Sequence, residues 1–350
     1  MLSGYTKLSK QAHWAIVFCL LASVVVSLGA YTRLVHAGLG CPDWPGCYGH
    51  LKWPDSHEEI QAAELAFPGA PVDTDKTWPE MVHRYFASAL GFCIICMTVF
   101  AWRKRNVRLQ PLKLILGLLV LVIIQGMFGM WTVTLKLWPQ VVTTHLLGGF
   151  GTLSLLWLLF LRLSHRDWLS KRELLTITKL KLSRIRLMAS IGLAAVILQI
   201  TLGGWTTSNY AALACIDFPT CHGTFFPEVD FAEGFNVLQE IGPNYLGGVL
   251  DNEARTAIHL SHRMGALVVT AILLILIVLL WGADSRNLRT LAKVIGLVLS
   301  LQIALGITNI VAFLPLSIAV AHNGVGALLL LVMVTANYRL YRYTATKTEF

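Results

Sequence analysis

Charge is what this chain has least of. Asp, Glu, Lys and Arg make up 13% of its 350 residues, where a soluble globular domain carries about 25%. That scarcity excludes an ordinary water-soluble fold. Acids are rarer still inside the long apolar stretches, and no Asp-rich motif stands within them or at their inner ends. A prenyl transferase, which binds Mg–diphosphate through such motifs, is thereby disfavoured. The apolar residues do not fall into short alternating segments, so a membrane β-barrel is excluded as well.

What the chain has instead is long hydrophobic runs, at about 13–34, 82–102, 112–133, 141–162, 186–207, 257–281, 290–312 and 317–338. Each exceeds the roughly 18 residues needed to span a bilayer, and each must satisfy its own backbone there, so all eight are expected as helices. The first follows Lys7 and Lys10. It is too long for a signal-peptide core and no small-residue cleavage pattern follows it cleanly, so it is read as a retained helix. The formal net charge of +9 does not mark a nucleic-acid partner. With both termini in the cytoplasm, the termini and the loops near 103–113, 162–186 and 282–293 hold 21 of the 28 Lys and Arg, and the outer loops hold most of the acids. That is the positive-inside asymmetry. The expectation is a multi-pass protein of a bacterial inner membrane.

The chain repeats itself. Cys41-Pro-Asp-Trp-Pro-Gly-Cys47-Tyr-Gly in the first outer loop matches Cys215-Ile-Asp-Phe-Pro-Thr-Cys221-His-Gly in the third, 174 residues on. His83-Arg84 matches His262-Arg263, Gln125 and Gly129 match Gln302 and Gly306, and His145 matches His322, with offsets of 177–179. Four concordant features point to duplication. Four crossings per half give both halves one orientation, a parallel repeat about the membrane normal. The expected fold is all-α, with eight transmembrane helices in two tandem pseudo-symmetric four-helix bundles. Residues 1–165 form the first half, 166–184 a cytoplasmic linker and 185–350 the second half. The outer loops 35–80 and 208–256 are too long for plain connectors. Each contains a stretch read as a surface helix, 56–67 and 231–240. On the oxidising outer side, Cys41–Cys47 and Cys215–Cys221 are expected as local disulfides, while Cys19, Cys93 and Cys96 read as apolar packing residues.

His83, His145, His262 and His322 stand near the outer ends of the second and fourth helix of each half. These helices run in the same direction, so the paired rings can face each other across a bundle interior. Such interiors host cofactors, and axial histidines hold haem iron. An interhelical hydrogen-bonding role is the bland alternative, weakened by the fourfold recurrence. Zinc or copper would need further Cys, Asp or Glu ligands nearby. Gly126, Gly129, Gly148, Gly149 and Gly151 near His145, with Gly306, Gly324 and Gly326 near His322, flatten the helix surfaces. They suit close helix packing and a flat macrocycle alike.

The halves differ three residues before the first histidine, where Glu80 stands in one and His259 in the other. A carboxylate on the same helix face as His83 suits a general base or a stabiliser of developing positive charge. A helix-dipole role is its alternative. Arg84 and Arg263, and likewise Arg33, suit contacts to haem propionates or snorkelling at the interface.

Glu80-x-x-His83-Arg84, His145 with the glycines after it, His262-Arg263, His322-Asn323-Gly324 and the two Cys pairs together resemble the haem A synthase family over essentially the whole chain. The resemblance implies oxidation of the C8 methyl of haem O to a formyl group by successive water-derived hydroxylations. It implies that His83 and His145 ligate haem O as substrate, with Glu80 assisting the chemistry. It implies that His262 and His322 ligate a resident haem B that relays electrons. Cys41–Cys47 would then be a disulfide with a redox or structural role, and Cys215–Cys221 a structural one. His259 receives no role. The partners this reading brings in are the lipid bilayer, haem O, a haem O synthase, a quinone or other electron acceptor, and a second copy of the chain. The competing readings are a di-haem, quinol-linked electron carrier without chemistry on the haem, and a haem transporter or chaperone.

Overall fold

A long apolar run in lipid leaves the backbone no partner but itself, and every one of these runs is helical. The computed structural model describes residues 10–106, 111–164 and 177–345. Its long helices are α1 (Lys10–Leu34), α3 (Thr74–Arg103), α4 (Leu112–Thr134), α5 (Pro139–Leu163), α6 (Lys179–Ser208), α8 (Asn252–Trp281), α9 (Arg286–Val311) and α10 (Leu316–Ala345). All eight are long and apolar enough to cross a membrane. No strand forms among the described residues, only the isolated bridges Cys47–His50 and Cys221–Thr224. Most of the expected linker, 166–176, lies outside the described residues.

Several helices outrun the hydropathy reading, α6 beginning at Lys179 and α10 ending at Ala345, and two of the shifts bear on the histidines. Helices α3 and α8 begin at Thr74 and Asn252, a turn or more before their apolar runs. The added turns carry Asp75, Lys76, Glu253 and Arg255, which hydropathy discounts although they are compatible with a helix standing above the membrane. Consequently His83 and His262 lie deeper along their helices than expected.

The short helix α2 (His57–Ala66) forms as expected. The Ser56 hydroxyl accepts from the Glu59 N–H, and the Glu59 carboxylate accepts from the Ser56 N–H, both at 3.2 Å. This reciprocal cap satisfies two otherwise orphaned donors. The second expected surface helix shrinks to a single turn, α7 (Phe231–Gly234). Gly234 explains the loss. Its carbonyl accepts from the Trp205 indole N–H at 2.8 Å, and a Cβ there would meet the Ala254 carbonyl oxygen at 2.7 Å. The chain is pinned between α6 and α8 at that point.

All four helices that run toward the cysteine-loop end, α1, α4, α6 and α9, stop the same way. The N–H groups of Ala37, Leu137, Ala211 and Leu314 reach back to the carbonyls of Thr32, Thr132, Thr206 and Asn309 at 2.7–2.9 Å. The residue before each, His36, Lys136, Tyr210 and Phe313, has positive φ. This is the Schellman closure of a helix end, here without the usual glycine.

In the first half α1 packs on α3 and α5, and α4 packs on the same two. In the second half α6 packs on α8 and α10, and α9 packs on both. The halves join through α1 with α10, α5 with α6, and α5 with α10. One apolar cluster runs through both halves, including Ile94, Leu118, Leu156, Leu273, Leu276 and Met333. Lipid is as apolar as leucine, so this cluster holds the helices by close packing more than by escape from water. The continuous packing occupies the helix stretches far from the cysteine loops and leaves the stretches near those loops for the histidines.

Candidate active site

Within each half the histidines stand on diagonal helices that do not touch. His83 on α3 and His145 on α5 have α1 and α4 between them, and α3 makes no contact with α5. His262 on α8 and His322 on α10 repeat this around α6 and α9. The rings of each pair still lie within electrostatic range of one another.

A glycine of an intervening helix faces each ring. A Cβ on Gly29 would stand 3.0 Å from His83 Cε1, and one on Gly203 would stand 3.1 Å from His262 Cε1. Gly129 faces His145 at 3.6 Å, and Gly306 faces His322 at 3.1 Å. The small residues near the fourth helices were legible in the sequence. Gly29 and Gly203 were missed, although they keep the 174-residue offset of the cysteine pairs.

The buried Nδ1 atoms of His83, His145 and His322 have no hydrogen-bond partner. Buried rings with an unpartnered nitrogen, paired across a bundle, fit axial ligation of haem iron; the His262 ring differs in having the Gln199 amide 3.0 Å from its Nδ1. They do not fit zinc: among the described residues no group of three or more His, Cys, Asp or Glu gathers, whereas zinc takes four ligands or three and water.

Glu80 is 5% exposed. It lies in the second turn of α3, beyond the first turn where the dipole of a helix acts most strongly on a carboxylate. Its oxygens accept from Arg84 Nη2 at 2.5 Å and from the Cys41 N–H at 2.9 Å. The equivalent His259 instead uses Nδ1 against the Ala211 carbonyl at 2.9 Å. The halves therefore differ here in charge as well as identity.

Arg84 and Arg263 hold the cysteine loops. Arg84 Nη1 donates to the carbonyls of Asp43, Pro45 and Gly46. Arg263 donates to those of Thr220, Cys215 and Asp217 at 2.8–2.9 Å. Arg33 spans the halves, bonding the Tyr210 hydroxyl and the Thr207 carbonyl at the end of α6.

Cys41–Cys47 and Cys215–Cys221 are disulfides, with S–S distances of 2.00 and 2.04 Å. An aspartate organises each loop. Asp43 accepts from the N–H groups of Tyr48 and Gly49 at 2.6 and 2.8 Å. Asp217 accepts from those of His222 and Gly223 at 2.8 and 2.9 Å, and from the Thr220 hydroxyl at 2.5 Å. These donors hold the Asp217 carboxyl at a pKa of about 2, below the usual range, with the Thr220 bond the largest cause.

Fold and site together define a multi-pass membrane protein with paired histidines in its interior. Residues 12–334 match the COX15-CtaA family of cytochrome oxidase assembly proteins. A protein of Shewanella oneidensis named heme A synthase is 44% identical over 340 residues, covering 97% of this chain and 99% of that protein. Heme A synthases of Maricaulis maris and Caulobacter vibrioides are 23% and 25% identical, over 96% and 95% of this chain and 98% and 96% of theirs. This chain belongs to the haem A synthase family.

Proposed function

We propose that the protein is an enzyme of haem A synthesis that oxidises the C8 methyl of haem O to a formyl group. The difference between the halves carries the reading: Glu80 is a buried carboxylate on the same helix as His83, and its counterpart is His259. A carrier of electrons alone would have no use for that difference.

Haem O binds in the first half between His83 and His145. Its apolar tail partitions into lipid, so the substrate arrives sideways from the bilayer. Each oxidation joins a water oxygen to the methyl carbon and releases two electrons and two protons. The first gives the alcohol and the second the hydrated aldehyde, which loses water. Net, a methyl and one water give a formyl group, four electrons and four protons. Glu80 takes up protons as the C–O bonds form, and Arg84 and the Cys41 N–H keep its carboxylate in place. Arg84 and Arg263 stand at the outer ends of the sites, where propionates would lie. In the second half His262 and His322 hold haem B, which supplies one-electron transfer toward a quinone or another acceptor. The termini face the cytoplasm of a bacterial inner membrane, in line with the charge of the loops.

The test is extraction and chromatographic identification of the haems bound to protein purified from cells that make haem O. Haem B with haem O, its alcohol or haem A supports the synthase. Two equivalents of haem B and no modified haem would replace it with the electron carrier.

A further inference from the structure

Arg33 carries a positive charge that no carboxylate matches among the described residues. It stands in the last turn of α1, one turn beyond Gly29 and on the same face, and Gly29 faces the His83 ring. From there its guanidinium crosses to the other half. Nη1 donates to the Tyr210 hydroxyl at 2.5 Å, and Nη2 to the Thr207 and Ser208 carbonyls at 2.6 and 3.2 Å. All three acceptors are neutral. The Arg33 Nε is buried and has no hydrogen-bond partner. Burying a charged donor without a matching acceptor is costly. The missing partner is therefore an anion that the chain does not supply.

This cation belongs to the first half alone. The position matching it in the repeat is Thr207, 174 residues on and one turn beyond Gly203. Helices α1 and α6 make no contact, and α5 and α10 each pack on both. Arg33 thus bridges two helix ends that no helix packing joins. Tyr210 completes the seam. The Arg33 guanidinium lies 3.9 Å from the centre of its ring, and His36, the residue matching Tyr210 in the repeat, stacks on it at 5.4 Å. A hydroxyl that accepts a hydrogen bond keeps a proton to give, so Tyr210 is a second donor at the seam. Arg84, beside His83, is already paired with Glu80 and bonded to loop carbonyls.

We propose that Arg33 binds a propionate carboxylate of the haem O held between His83 and His145, with Tyr210 donating from the other half. The proposal rests on the reading that the first half binds haem O. The macrocycle and its tail are apolar, so the carboxylates turn toward the helix ends, where Arg33 stands. Nε is the guanidinium nitrogen nearest α1. It stays on the first-half side while the far end of the group is anchored on α6. The substrate is then held by both halves at once. A charge-assisted bond of this kind is worth about 10–100-fold in affinity.

The experiment titrates haem O into full-length protein, purified in detergent from cells that make haem B but no haem O. A second titration uses haem O with its propionates methyl-esterified, and Soret absorption reads the binding. Wild type is expected to prefer the free acid by about 10–100-fold. Arg33→Leu should lose most of that preference by weakening the acid and not the ester, whereas a purely structural defect would weaken both. Arg33→Lys should keep part of it. Tyr210→Phe, which retains the ring beneath the guanidinium, should weaken the acid by about 2–10-fold. Those two variants stand in if Arg33→Leu does not fold. No preference in wild type, or a full preference in the variants, would overturn the proposal. A full preference with loss of co-purified phospholipid would give Arg33 to a lipid phosphate instead. If His83→Ala titrates like wild type, the first-half site itself fails, and not the role of Arg33 within it.

Discussion

Glu80 accepts a hydrogen bond from the backbone N–H of Cys41 at 2.9 Å, which ties the buried carboxylate to the first residue of the disulfide loop. Arg84 closes the triangle, pairing with Glu80 at 2.5 Å and donating to the Asp43 carbonyl at 3.0 Å. Loop, arginine and carboxylate therefore form one hydrogen-bonded unit above His83. In the second half the loop and Arg263 keep this contact while the carboxylate is gone.

Glu80→Ala is expected to keep its haems and to lower haem A formation by about 100-fold or more, the range of a general base. It also leaves the Arg84 charge and the Cys41 N–H short of a partner. Breaking a buried pair costs about 3–5 kcal/mol. The loop carbonyls that still hold Arg84 bring the expected loss below that range. Glu80→Gln separates the effects, because its amide oxygen still accepts from Cys41 while the charge is lost. The measurements are the ratio of haem A to haem O in extracts and the unfolding temperature in detergent. Normal haem A formation by Glu80→Ala would remove Glu80 from the chemistry.

His262→Ala is expected to lose haem B and keep its haem O site, and His83→Ala to do the reverse. The reason is spatial: the rings of the two halves belong to separate helix quartets, so removing one ligand leaves the other pair in place. Haem identity and stoichiometry per chain read the outcome directly. Loss of both haems in either variant would show that the sites are not independent.

The eight crossings were legible because a span of lipid imposes one solution on any apolar run. The histidine pairs were legible because duplication printed them twice. What escaped the sequence arises between helices. Gln199 and Gly265 meet across α6 and α8, and no pattern along either helix joins them. Arg84 and Arg263 were read as suited to propionates or to snorkelling, and the loop carbonyls that their guanidinium groups meet had no signal in the sequence. Sequence places a charge at a depth but does not name the oxygen it finds. The surface helix expected over 231–240 failed at Gly234, whose contacts with Trp205 and Ala254 are both distant in sequence.

The long loop between α6 and α8 should respond to acid through Asp217. Its folded pKa of about 2 lies below the usual aspartate value of about 3.9. The ionised carboxylate therefore favours the folded loop, fully so above the unfolded pKa. That contribution fades as pH falls through roughly 4 toward 2. Asp217→Asn should flatten this part of the profile and weaken the loop at neutral pH. Thermal unfolding between pH 2 and 6, followed by accessibility of the Cys215–Cys221 disulfide to a reductant, measures it. An unchanged profile in the variant would exclude Asp217 as the acid-sensitive group.

The facing glycines give the sharpest spatial prediction. Gly29 leaves 3.0 Å between a notional Cβ and His83 Cε1, and Gly203 leaves 3.1 Å to His262 Cε1. Alanine at either place asks the ring to move by a few tenths of an ångström, whereas leucine takes the space the ring occupies. Gly29→Leu is therefore expected to lose the first-half haem alone, and Gly203→Leu the second-half haem alone, each at about 1–3 kcal/mol of stability from overpacking. Gly117 on α4 has nothing within 4 Å of its notional Cβ. Gly117→Ala should keep both haems and gain about 0.5–1 kcal/mol of helix stability. Haem content and unfolding temperature for the three variants form one experiment. If Gly29→Leu and Gly203→Leu bind haem as Gly117→Ala does, the facing rings are not where the haems sit. Selective loss in each half would tie each haem to its own histidine pair without altering any histidine.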